Sequence, residues 1–96
     1  MPCYMKYFTY ILYSNKLGQY YKGHSCDPYR RLIEHNTGQN SYTKKGAPWS
    51  LIWYTQMKTK SDAYRLEMKL KNLSQSRTES FIRKYKEGIV GPDDPD

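Results

Sequence analysis

Two aromatic segments near the start of the chain most constrain its fold, because together they predict a β-hairpin. The first, residues 7–13, is rich in aromatic and β-branched residues, with apolar side chains on both alternating faces. A strand covered on both sides has this pattern. Residues 14–18 supply turn chemistry, and residues 19–23 resume the aromatic run. We therefore expect two antiparallel strands, the first of them central in a sheet.

The following residues predict one more strand and three helices. Asp27 before Pro28 is typical of a helix start, so a helix is expected over residues 28–36, with an apolar face formed by Tyr29, Leu32 and Ile33. Residues 37–48 predict a long basic loop, and residues 49–57 predict the third strand. A second helix is expected from a cap at Ser61, and a third from a capping box that begins at Ser76.

Chain length limits these elements to one domain. Ninety-six residues provide interior for a single core. The order of the elements predicts a small α+β domain over residues 1–87, in which a three-stranded antiparallel sheet is packed by helices. Residues 88–96 contain two prolines and three aspartates, and we expect them to form a flexible acidic tail.

The charge of the chain favours a polyanionic partner. Sixteen Lys and Arg against nine Asp and Glu give a net charge of +7. Because three of the acids lie in the predicted tail, residues 1–87 carry sixteen basic and six acidic side chains, or +10. A surplus of this size on a small domain is typical of nucleic-acid-binding proteins. A membrane surface and an acidic protein are the alternatives.

The sequence also bears on location and assembly. No segment is long and apolar enough to cross a bilayer, and residues 1–6 lack the apolar core of a signal peptide. Two cysteines are too few for a disulfide framework, so we expect Cys3 and Cys26 to be free thiols. These observations predict an intracellular, cytoplasmic protein without membrane association. We expect it to be a monomer or a weak homodimer.

Polar residues at fixed spacing lie along the predicted elements. Arg31 follows the glycine of the second strand by eight residues, and His35 follows Arg31 by one helical turn. The ordered set resembles the GIY-YIG nuclease superfamily, and residues 29–36 are similar to its stand-alone bacterial proteins, which are related to the nuclease domain of the UvrC repair enzyme. The residues that carry the resemblance are Tyr10, Tyr21, Gly23, Arg31, His35 and Glu67, with Ser25 as a supporting small hydroxyl residue.

The resemblance implies a metal-dependent DNA endonuclease that acts in repair or recombination on branched, flapped or single-stranded DNA. Arg31 would stabilise the phosphate, and Tyr10 or Tyr21 would activate or position water. His35 would assist as a proton acceptor or relay, and Glu67 would hold a single Mg²⁺, with Mn²⁺ as an alternative. The lysines expected to contact nucleic acid are Lys22, Lys44, Lys45 and Lys71.

Each of these residues also has a purely structural interpretation. Either tyrosine can pack in the core, Arg31 can pair with Asp27 or Glu34, and His35 can favour the negative end of a helix dipole. Glu67 can form an ion pair with the residue four positions later. The aromatic residues near the basic loop, Tyr42, Trp49 and Trp53, can stack on bases or belong to a buried strand. A non-catalytic nucleic-acid-binding module of the same fold is therefore the alternative function.

The net charge leads to a first prediction. Affinity for nucleic acid should fall steeply with added salt, because phosphate contacts release counterions, with a slope of about 0.9 logarithmic units per contact on duplex DNA. Fluorescence anisotropy across a salt series measures this slope. Weak binding that does not change with salt would favour an acidic protein partner instead.

Overall fold

The computed structural model describes residues 6–88 and contains one three-stranded antiparallel sheet with the strand order β2-β1-β3. Three α-helices and a short 3-10 turn at Lys44–Gly46 complete the described part of the chain. The predicted α+β fold is thus confirmed. The strands are β1 at Tyr7–Ser14, β2 at Gln19–Ser25 and β3 at Trp49–Met57, and the helices are α1 at Pro28–Asn36, α2 at Lys60–Lys71 and α3 at Gln75–Lys84.

The central strand β1 has a separate core on each of its faces. On one face Ile11 packs with Leu66 and Leu70 of α2. On the other face Tyr10 and Leu12 belong to a second cluster. Successive side chains of a strand point to opposite faces, and this alternation divides the domain into two layers of packing around β1. The second cluster also contains Trp49 and, partly buried, Tyr21, Leu32, Ala47 and Leu51.

Helix α1 has the predicted bounds but a different buried face. Asp27 caps it by accepting from the backbone N–H of Arg30 at 3.1 Å, with Pro28 in the first turn. However, Tyr29 and Ile33 are 59% and 60% exposed, so the predicted apolar face is wrong at these two positions, whereas Leu32 packs against the second cluster as expected. The helix instead buries Pro28 and His35, which lie about two turns apart on one side. A polar side chain, His35, thus occupies the position that an amphipathic pattern would give to an apolar one.

The caps of α2 and α3 lie two residues before the predicted ones. Thr59 Oγ1 accepts from the backbone N–H of Asp62 at 3.0 Å, and Ser74 Oγ accepts from that of Arg77 at 3.3 Å. Ser61 and Ser76 therefore lie inside their helices. The sequence offers two hydroxyl residues at each start, and the structure uses the first of each pair.

The basic loop between α1 and β3 is anchored to the domain. The indole N–H of Trp49 donates to the Thr43 carbonyl at 2.8 Å, and the Asn36 side chain bonds both backbone polar groups of Trp49. Trp49 and Trp53 are only 6% and 4% exposed. Of the two interpretations of these tryptophans, the buried strand is therefore correct, and neither ring is available to stack on a base.

Two sequence-based expectations concern the ends of the chain and its cysteines. The predicted tail lies outside the described residues except for Gly88, whose carbonyl accepts from the Thr55 hydroxyl, so its flexibility stays a prediction. Cys26 is in a disulfide, so a free thiol there is wrong; Cys3 lies outside the described residues. Within residues 6–88, none of the helices has the length and apolar character needed to span a membrane.

The position of the α3 cap can be tested by stability. Ser74→Ala should lower the free energy of unfolding by about 1 kcal/mol, because it removes the acceptor for a backbone N–H at the helix start. Ser76→Ala is the matched control and should cost less than half as much. Urea denaturation of both variants measures the difference. Equal losses in the two variants would contradict the assignment of Ser74 as the cap.

Candidate active site

The contact between Tyr10 and Gly23 lies at the centre of the candidate site. These residues are directly opposite in the register of β1 and β2, and the Tyr10 side chain is almost fully buried. A Cβ atom placed on Gly23 would lie 2.6 Å from the Tyr10 hydroxyl oxygen. Because glycine has no side chain, position 23 on the edge strand β2 leaves room for the Tyr10 hydroxyl.

The Tyr10 hydroxyl belongs to a chain of buried hydrogen bonds. It lies 3.3 Å from His35 Nε2, and His35 Nδ1 lies 2.7 Å from the Thr43 hydroxyl. Thr43 in turn donates to the Asn40 carbonyl at 3.3 Å. Every donor has an acceptor when His35 carries its proton on Nδ1 and donates it to Thr43. His35 Nε2 is then the acceptor for the proton of Tyr10.

Burial keeps both members of this pair neutral. It raises the pKa of Tyr10 to about 12, although the nearby Arg31 guanidinium opposes the increase. Burial also lowers the pKa of His35, and the positive charge of Arg31 adds to this decrease. At neutral pH the site therefore holds a protonated phenol beside an unprotonated imidazole nitrogen, with a cation next to both.

Arg31 is the charged side chain next to this pair. Its side chain is 33% exposed, and its Nη1 is 2.5 Å from Glu34 Oε1 on the same helix. The guanidinium also interacts with the Tyr10 hydroxyl. Of the structural partners considered for Arg31, Glu34 is correct, whereas the Asp27 side chain caps α1. An arginine has five N–H donors, so contacts with Tyr10 and Glu34 leave donors for a phosphate.

Tyr21 contributes its ring to the same pocket. The ring centroid lies 4.8 Å from that of His35 and 6.4 Å from that of Tyr10. Tyr42 lies on its other side at 6.3 Å and is 83% exposed. The structure thus brings Tyr10, Tyr21, Arg31 and His35 together on the face of the sheet covered by α1.

Glu67 approaches the site from the opposite face. Helix α2 packs with Ile11 on the other side of β1, and Glu67 is only 7% exposed. Its Oε1 lies 2.6 Å from His24 Nδ1, and its Oε2 lies 2.7 Å from Lys71 Nζ. Its negative charge nevertheless acts on Tyr10 and contributes to the raised pKa of that phenol. The charge of Glu67 on the α2 face of the sheet therefore acts on the phenol on the α1 face.

Glu67 provides one carboxylate that a divalent cation would need, and both of its oxygens have partners within the protein. Within the described range 6–88, no cluster of three or more His, Cys, Asp and Glu side chains could hold a metal ion. Mg²⁺, however, is commonly held by one or two carboxylates and completes its shell with water and substrate phosphate. Glu67 is such a carboxylate, and Lys71 would have to release Oε2 for a cation to bind there.

The remaining residues predicted for the site lie in several places. Lys44 and Lys45 are exposed on the 3-10 turn, while Lys22 is half-buried with its Nζ 5.9 Å from the Tyr20 ring centroid. Ser25 Oγ accepts from the backbone N–H of Asp27 at 2.9 Å and so supports the turn before α1. The structure also adds two residues that the sequence did not suggest, His24 beside Glu67 and Thr43 beside His35.

Comparison with known proteins assigns the chain to one family. A family model described as the GIY-YIG catalytic domain matches residues 6–86. The chain belongs to the GIY-YIG family. This family assignment confirms the resemblance to the GIY-YIG superfamily, and it identifies the fold as a nuclease fold.

Several similar proteins carry the name UPF0213 protein. One from Listeria welshimeri is 35% identical over 80% of this chain and 86% of its own. One from Staphylococcus saprophyticus is 36% identical over 80% and 94%. A solution NMR structure of a UPF0213 protein from Bacillus halodurans aligns with a TM-score of 0.55 at 29% identity, over 88% of this chain and 87% of that one.

The hydrogen-bond chain predicts the protonation of His35. Its pKa should lie below the ordinary value of about 6.5, because burial disfavours the charged form. Thr43→Val should shift the imidazole from the Nδ1–H to the Nε2–H tautomer, because the acceptor for Nδ1–H is lost. Thr43→Ser should keep the original tautomer. Imidazole ¹⁵N chemical shifts measure both properties, and an Nε2–H tautomer in the parent protein would contradict the assigned direction of the chain.

Proposed function

We propose that this protein is a metal-dependent endonuclease that hydrolyses phosphodiester bonds in DNA. The observation that carries the proposal is the position of the Tyr10 hydroxyl, which has the Arg31 cation on one side and the His35 Nε2 acceptor on the other. Hydrolysis of a phosphodiester requires a group that takes a proton from water and a cation that stabilises negative charge on the phosphate. Both are present at this position.

Tyr10 is the group that takes the proton from water in this mechanism. An isolated phenol is almost fully protonated at neutral pH and is a poor base. Here the proton of Tyr10 passes to His35 Nε2 as the proton of the attacking water passes to the Tyr10 oxygen. His35 becomes an imidazolium, whose Nδ1–H still donates to Thr43. The phenol thus never has to be ionised before the substrate binds.

Arg31 binds the phosphate beside the phenol. Tyr10 is 1% exposed, so side chains around its hydroxyl must shift before water reaches it. An incoming phosphate competes with Glu34 for the guanidinium, because both are anions that accept two N–H donors from arginine. Release of Glu34 lets Arg31 bridge the phosphate and the phenol. Charge that builds up on the phosphate oxygens is then stabilised directly.

Glu67 would hold the Mg²⁺ ion. The ion would polarise the phosphate and stabilise the leaving oxygen. Lys71, whose pKa is raised by its bond to Glu67, is positively charged and would transfer from the carboxylate to a DNA phosphate. His24 keeps Glu67 oriented through the bond to Oε1. A role in repair or recombination, a preference for branched, flapped or single-stranded DNA and a cytoplasmic location belong to this proposal as predictions from the sequence.

A non-catalytic binding module is the second candidate, and one observation favours it. Arg31 and Glu67 each have partners of opposite charge within the protein, as purely structural ion pairs would. In a nuclease, Arg31 and Glu67 would exchange these partners for substrate and metal, whereas in a binding module they would keep them. Cleavage assays distinguish the two functions.

Substitution of these two charges tests catalysis separately from binding. Arg31→Ala and Glu67→Gln should each lower the rate of DNA cleavage in Mg²⁺ by about a hundred- to a thousand-fold, because each removes a contact to the transition state or to the metal. DNA affinity should stay within a few-fold, because the remaining basic surface provides most of the binding. Gel-based cleavage and anisotropy measure the two effects.

Arg83→Ala is the matched control, because it removes the same charge from an exposed position on α3. It should cut at the parental rate, and EDTA should stop cleavage by the parent and the control alike. Cleavage by Arg31→Ala and Glu67→Gln at the parental rate would show that the site is assigned wrongly. A parent that binds DNA and never cuts it in Mg²⁺ or Mn²⁺ would favour the binding module.

A further inference from the structure

A cavity of about 550 Å³ lies beside the candidate active site, between the first turns of α2 and the end of β2. Its volume falls in the range of pockets that hold a small organic molecule. A smaller cavity of about 370 Å³ shares His24 and Lys60 with it. Of the lining residues within 6–88, His24 alone has a role in the mechanism above. These residues are His24, Lys60, Ser61, Tyr64 and Arg65.

The lining combines an aromatic ring with two cations. Tyr64 is 49% exposed, and its ring meets that of His24 edge-on, with centroids 5.7 Å apart. Lys60 is exposed at the start of α2. Arg65 bonds Asp62 at 2.7 Å on the same helix, and its side chain is 71% exposed. Aromatic rings for stacking beside cations for phosphates are the two components of single-strand nucleic-acid sites.

His24 connects the cavity to the candidate metal ligand. Its ring lines the cavity, while its Nδ1 lies 2.6 Å from Glu67 Oε1. A group bound against His24 therefore lies one side chain away from the carboxylate proposed to hold Mg²⁺. The cavity is on the α2 side of the sheet, whereas Arg31 is on the α1 side, so the two positions lie on either side of the β2 edge.

We propose that this cavity binds one nucleotide of the substrate strand, next to the phosphodiester that is cleaved. The base packs on Tyr64, and its phosphate lies between Lys60 and Arg65. The strand then crosses the β2 edge at Gly23 to reach Arg31. This proposal rests on the proposed function for its substrate, but it concerns binding and can be measured without cleavage.

The test compares two strands that differ only in their bases. A fluorescein-labelled thymidine oligonucleotide and an abasic strand of the same length, built from tetrahydrofuran units, are titrated with the full chain in EDTA. Tyr64→Ala should weaken binding of the thymidine strand by roughly five-fold or more, because stacking on the ring is lost. It should leave binding of the abasic strand unchanged. Tyr64→Phe keeps the ring and should bind both strands as the parent does.

The cations are tested by the double variant Lys60→Ala/Arg65→Ala. It should weaken the binding of both strands. It should also reduce the slope of log affinity against log salt concentration by about 0.7 for each lost phosphate contact. Arg83→Ala, with its charge on α3, should change the slope less. Thermal melting of each variant checks that the fold is retained, as expected for exposed positions.

Several results would overturn the nucleotide site. One is that Tyr64→Ala binds the thymidine strand as tightly as the parent does. Another is that Tyr64→Ala loses the same affinity for the thymidine strand and for the abasic strand. A third is preferential binding of an acidic peptide or of blunt duplex that depends on Lys60 and Arg65 and is insensitive to Tyr64. A parent that shows the expected binding differences in EDTA but never cleaves DNA in Mg²⁺ would refute the nuclease proposal and leave this site in place.

Discussion

The close approach of the Tyr10 hydroxyl to the backbone of Gly23 is the constraint on which the candidate site depends. A side chain at position 23 would occupy the place of the hydroxyl, since its first carbon would lie 2.6 Å from the oxygen. With glycine there, the phenol can extend to the edge strand and meet His35 and Arg31. The negative charge of Glu67, on the opposite face of the sheet, adds to the rise in the pKa of the phenol.

The charges around this hydroxyl are balanced within the free protein. Arg31 pairs with Glu34, and Glu67 pairs with Lys71. Both pairs join residues of a single helix. The Arg31–Glu34 pair is partly open to solvent, where ion pairs contribute little to stability, so its exchange for a phosphate costs little free energy. Glu67 is buried, so its carboxylate can release Lys71 only as a cation takes that place. The balance suits a site whose substrate and metal both arrive from solution.

The sequence predicts the fold well because strand alternation, turn residues and the Asp27–Pro28 helix start are local signals. The bounds of α1 and β3 follow from such signals alone. The buried face of α1 does not, because the hydrogen bonds that draw His35 inward come from β1 and from the loop at Thr43. The sequence likewise predicts that Glu67 lies beside its helical neighbour Lys71. Only the structure, with β2 paired to β1, shows that His24 is a second partner of the Glu67 carboxylate.

The most direct test of this account is a comparison of two hydroxyl deletions, Tyr10→Phe and Tyr21→Phe, in single-turnover cleavage of DNA with Mg²⁺. Each variant keeps its ring and loses one oxygen, so packing changes little. The account predicts that Tyr10→Phe loses about a hundred-fold or more in rate, the range of general base catalysis, whereas Tyr21→Phe loses far less. A larger loss for Tyr21→Phe, or an undiminished rate for Tyr10→Phe, would contradict the assignment of the Tyr10 hydroxyl as the proton acceptor.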